Sequence, residues 1–94
     1  MFDRYDASSN TKTQNQSLDA FALFLRENPD QKGYLLSYGA NQRANAYKQR
    51  LVRLGNIKRD RIEIITGPRC QKWHVELFYW HVLPAGKPSV SDCR

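Results

Sequence analysis

Residues 41–67, NQRANAYKQRLVRLGNIKRDRIEIITG, limit the choice of fold more than any other stretch of this chain. Ala44, Tyr47, Leu51 and Leu54 recur at intervals of three and four, so a helix here turns one apolar face inward and leaves Arg43, Lys48, Arg50 and Arg53 elsewhere. Gly55 and Asn56 accept left-handed backbone at little cost, which predicts a helix stop. Ile57 tucks back, and residues 61–65, RIEII, then have the β-branched character of a strand closed by Thr66-Gly67-Pro68. A helix passing through a glycine turn into a buried strand is half of an α/β packing unit.

The remaining segments extend this alternation. Phe2-Asp3-Arg4-Tyr5 suits a short first strand. Residues 7–16, ASSNTKTQNQ, are small and polar and read as a loop. Ser17 then stands as the N-cap of a first helix whose buried face is Leu18, Phe21, Ala22 and Leu25, and which fades at Asn28-Pro29. Residues 33–38 are almost continuously apolar and aromatic, as in a central strand. Residues 73–83 form the longest strand pattern, with Trp73, Val75, Leu77 and Tyr79 toward the core and His74, Glu76, Phe78, Trp80 and Val82 on the other face.

The order β-α-β-α-β-β predicts an α/β (α+β) two-layer sandwich with two helices on one face of a mixed sheet. The βαβ pair is expected to be parallel, the last two strands to form an antiparallel hairpin, and the far face of the sheet to stay partly open. One domain is expected over residues 1–83, followed by a Pro, Gly and Ser tail over 84–94, extended and pinned by Cys93.

With 94 residues the chain holds one modest core. No apolar run approaches the roughly 20 residues of a membrane helix, and the N-terminus does not resemble a signal peptide, so an exported form would be the mature part. The net charge of +6 is concentrated over residues 43–72, where nine Lys or Arg face only Asp60 and Glu63. Such an excess attracts anionic partners and equally suits a solvated basic surface. Cys70 and Cys93 permit one disulfide closing a loop of about 24 residues, worth on the order of 3 kcal/mol, or two free thiols; the count does not decide.

A zinc set of Cys70, His74, His81 and Cys93 fits no common ligand spacing, and the two histidines fall on opposite strand faces. No GxSxG, HExxH, P-loop or GxGxxG motif is present, and Cys70 beside Arg69 and Lys72 is only a generic setting for a reactive thiol. The expectation is a protein without catalytic activity, metal or cofactor.

The order and spacing of several short motifs resemble a known family. Arg43-Ala44, Tyr47, Leu51-Val52, the glycine turn, Ile57 and Arg61-Ile62 are similar to the RAxxVxxxL…GI…RI signature of the peptidoglycan-binding domain of outer membrane protein A and its relatives. Small bacterial envelope proteins of that fold offer a fuller likeness. Their FDxYG, LDxFA, GYxxxYG, RAxxxKxYLV, VELW and PxGxP elements have counterparts in residues 2–5, 18–22, 33–39, 43–52, 75–78 and 84–88.

The resemblance implies an OmpA-like fold in a bacterial envelope or periplasmic protein, with the cytoplasm as the other compartment. It also implies that Arg43, at the start of the second helix, meets a carboxylate of a cell-wall peptide. The family's second ligand, an Asp ending the second strand, has no counterpart, because Ser37-Tyr38-Gly39-Ala40 stands there. The expected ligand-binding set for peptidoglycan or another anionic envelope polymer is Arg43, Lys48, Arg50, Lys58 and Arg59. The alternatives are a nucleic-acid-binding module, with these cations on phosphates and Tyr34, Tyr38, Phe78, Tyr79 and Trp80 as stacking platforms, or a protein-interaction domain with no small ligand.

Overall fold

The computed structural model describes residues 1–81 and 88–93. Six regular elements follow the expected order: strand β1 (Asp3–Asp6), helix α1 (Thr11–Glu27), strand β2 (Gln31–Tyr38), helix α2 (Asn41–Arg53), strand β3 (Ile62–Thr66) and strand β4 (His74–His81). A single 3-10 turn (Arg59–Arg61) leads into β3. Both helices pack on one face of a four-stranded mixed sheet, as the two-layer expectation requires.

The sheet order is β1-β4-β2-β3. The β2 and β3 strands are parallel, as expected for a βαβ unit. The expected β3–β4 hairpin does not form. Instead β4 crosses over and inserts between β1 and β2, antiparallel to both. Its two faces explain why: Val75 and Leu77 are fully buried under the helices, and Phe78 packs on the opposite face, a degree of coverage that only an interior position provides.

The helix-side core joins Leu18, Phe21, Ala22 and Leu25 of α1 to Ala44, Tyr47 and Leu51 of α2, over Leu35, Ile62, Val75 and Leu77 of the sheet. The α1 helix starts six residues before the expected N-cap. Asn10, not Ser17, caps it, its Oδ1 accepting from Thr13 N at 2.7 Å. Ser17 lies inside the helix, where its hydroxyl donates to the Asp3 carboxylate. The polar first turns are helical because one polar residue is provided for: Gln14 is buried and its Oε1 accepts from Tyr47 Oη at 3.2 Å.

The α2 helix closes through Gly55 N to Arg50 O and Ile57 N to Leu51 O. Of Gly55 and Asn56, Asn56 adopts the left-handed backbone, with φ 57°, and Gly55 does not. Gly55 serves proximity instead: a Cβ there would lie 2.6 Å from Ala22 Cβ and 2.6 Å from Leu51 O, so its absence lets α2 end against α1.

The far face of the sheet, expected to stay partly open, is filled at its middle and stays open at Trp80, which is 44% exposed. Tyr34, Leu36 and Tyr38 are buried there, with Ile65, Phe78, Cys70 and Val90 packed around them. Val90 belongs to the tail. Within the tail Pro88 is also buried, Ser91 N donates to Tyr38 Oη at 3.0 Å, and Cys93 is joined to Cys70 by a disulfide. Residues 82–87 and 94, including the last two positions of the expected 73–83 strand, lie outside the described residues.

Candidate functional site

Parallel pairing of β2 and β3 places the residues that follow each strand at the same edge of the sheet, with Ser37 opposite Thr66. Binding crevices in α/β sheets form at this edge, outside the carboxyl ends of the strands. Here Gly39 turns the chain into α2 with φ 72°, and the loop of residues 67–73 returns beside it. Between them lies a cleft of about 370 Å³ bounded by Gly39, Gln42, Arg43, Gly67, Arg69 and Trp73.

The cleft is electropositive by construction. Ala40, the residue before α2, offers no side-chain cap, and the first turn contains no acid. The helix therefore presents uncompensated N–H groups and the positive end of its dipole. Arg43 stands in that first turn with its guanidinium carbon 4.2 Å from the centroid of the Trp73 ring. Cation–π stacking of this kind fixes the plane of the guanidinium, which also hydrogen-bonds to the Tyr47 hydroxyl. Arg69, from the loop, is a second basic residue lining the cleft. The backbone beneath is held by Ser37, whose Oγ accepts from Ala40 N at 3.2 Å and donates to Asn41 Oδ1 at 2.8 Å.

The other expected ligand residues are not gathered here. Arg50 is engaged with α1, Nε and Nη2 each donating to the Asp19 carboxylate at 3.1 Å. Lys48 sits half-buried along α2. Lys58 and Arg59 occupy the exposed turn beyond the other end of α2. With about 1.5 Å of rise per residue, the helix alone separates that end from Arg43 by about 15 Å. The five cations form no single patch, and Arg43 alone reaches the cleft. Arg69 and Trp73 complete it.

A second cleft, of about 630 Å³, lies against the disulfide and is lined by Arg4, Lys72, His74, Glu76 and Asp92. It is larger, but its cations and carboxylates offset one another, so it has no comparable preference for one sign of ligand charge. Of the two histidines, His74 stacks on Tyr38 with ring centroids 4.2 Å apart, and His81 Nδ1 lies 2.7 Å from Gln31 Nε2. Cys70 and Cys93 are bonded to each other. Among the described residues no cluster of three or more metal-ligating side chains occurs, and no helix is long and apolar enough to cross a membrane.

Two tyrosines beneath the helices titrate abnormally. Burial pushes the Tyr5 phenol far above its ordinary value. Burial also raises Tyr47, against the opposing pull of the Arg43 guanidinium beside it. Compared with known protein families and with curated protein sequences, the chain matches none of them.

Proposed function

We propose that this chain is a non-catalytic domain of OmpA-like type that holds an anionic group of a cell-envelope polymer, peptidoglycan foremost, in the cleft at the start of α2. The observation that carries the reading is that Arg43 and Arg69 line one cleft at an uncapped helix N-terminus, a combination suited to a carboxylate. The absence of an acid at the end of β2 narrows the ligand. A zwitterionic amino-acid end needs a carboxylate for its ammonium group, and Ser37-Tyr38-Gly39-Ala40 supplies none. The recognised feature is therefore the carboxylate alone. The disulfide suits an oxidising compartment such as the periplasm, which supports the same reading.

Two of the aromatics required by a nucleic-acid module are unavailable for stacking, since Tyr34 and Tyr38 are buried on the far face of the sheet. The test is sedimentation of the purified domain with insoluble peptidoglycan at moderate salt, beside an unrelated protein of equal net charge. Retention above that control, lost in Arg43→Ala, is the expected result. Retention equal to the control, or binding to nucleic acid that falls steeply with salt while muropeptides have no effect, would refute the reading.

A further inference from the structure

We infer that the Cys70–Cys93 disulfide controls the anion cleft, so that reduction of this bond loosens Arg69 and weakens ligand binding at a distance from either sulfur. The inference rests on the cleft being the binding site proposed above.

The loop of residues 67–73 is the physical link. At one end Gly67 N donates to Ser37 O at 2.8 Å, and at the other the chain enters β4 at His74. Among the described residues, 68–72 make no backbone–backbone hydrogen bond, so the loop's conformation depends on what its side chains and its disulfide touch. Its middle is seated on the turn into α2. A Cβ built on Gly39 would lie 3.4 Å from Arg69 Cγ and 3.7 Å from both Arg69 Cα and Cys70 N. The cysteine and the cleft arginine are thus adjacent and share one contact surface. Trp73, three residues on, lies against Arg43. One short segment carries Arg69 and the platform for Arg43, and Cys70 lies between them.

What Cys70 is tied to is itself anchored. Cys93 ends a tail segment held to the sheet by Val90 on the aromatic face and by Ser91 N donating to Tyr38 Oη. The disulfide therefore fastens the loop to the sheet through the tail. Cys93 is the more exposed of the two half-cystines. A dithiol reductant reaches it first: its thiolate bonds to Cys93 Sγ, and Cys70 leaves as a thiolate that takes a proton from water. The second thiol of the reductant then displaces Cys93. The reductant ends as a cyclic disulfide and the protein as two thiols, a transfer of two electrons and two protons. Arg69 is then held only by a loop without regular hydrogen bonds.

The test uses the full chain, oxidised or treated with dithiothreitol, and reads two signals. The first is retention on insoluble peptidoglycan. The second, independent of any ligand, is the set of amide shifts of Gly39, Gln42, Arg43 and Arg69 with the indole signal of Trp73. Reduction should lower affinity about tenfold, the worth of one charge-assisted contact. It should also move the Gly39 and Arg43 amides while the central strands keep their shifts. The Cys70→Ser/Cys93→Ser variant should match the reduced protein whatever the reductant, and Arg69→Ala should bind weakly in both states. If neither state binds peptidoglycan but the Gly39, Arg43 and Trp73 signals still move on reduction, the proposed ligand fails and the linkage stands. Equal affinity in both states, shifts confined to residues 68–72 and 88–93, or loss of the whole fold on reduction would each overturn it.

Discussion

At the scale of single residues, Arg61 illustrates what a basic side chain can do besides meeting a ligand. Its Nη2 donates to three carbonyls, Leu25 O at 2.9 Å, Asn28 O at 3.1 Å and Gln31 O at 2.7 Å, closing the end of α1 onto the start of β2. Hydrogen bonds to charged donors contribute more than neutral ones, so Arg61→Ala should cost about 2–4 kcal/mol, read as a lowered urea midpoint at unchanged slope. Gly55→Ala should destabilise too, by about 1–3 kcal/mol from overpacking, because the new methyl would meet Ala22 Cβ at 2.6 Å. Neither role is legible in the sequence. Arg61 lies 30 or more positions from its acceptors, and Gly55 presents the pattern of an ordinary helix stop while its necessity comes from the neighbouring helix.

At the scale of elements, period decides what can be read. The α2 helix and β3 are legible because their apolar residues repeat at helical and strand spacing, and the buried faces of both helices fall where that spacing puts them except at Leu54, which stands at the C-cap of α2 and is 67% exposed. The start of α1 is not, since Thr11 to Gln16 carry no apolar signal. The one pointer to helix is Asn10 as a cap for Thr13. Asn10→Ala should accordingly destabilise by about 1 kcal/mol, with a matching loss of helical ellipticity near the midpoint of unfolding.

The junction of β1 with α2 gives a second prediction, where Tyr5 and Tyr47 meet edge to face with centroids 5.2 Å apart. Burial raises both phenols above their unfolded value, so both favour the fold as neutral groups. Their contribution is complete below about pH 10, the ordinary tyrosine value, and is lost as pH rises from there through the folded values. The urea midpoint should hold up to about pH 9.5 and fall at higher pH. Phenolate absorbance from these two rings should appear at higher pH in the folded protein than in the unfolded chain.

At the scale of the whole molecule, the cleft is half legible. Arg43 is found by motif resemblance and helix position, whereas Arg69 and Trp73 join it only once β2 and β3 are known to be parallel and the 67–73 loop to return to the same edge. Substituting both cysteines should remove about 3 kcal/mol through the released 23-residue separation, read as a lowered urea midpoint.

The strand order has a consequence for how the protein is made. The β4 strand lies between β1 and β2, yet among the described strands it is the last to leave the ribosome. Until residues 74–81 emerge, the first strand has no neighbour and the second keeps one flank unpaired, so a nascent chain has no finished sheet to commit to. Completion of the sheet must wait for residues 74–81, and until then the flanks of β1 and β2 stay open to other chains.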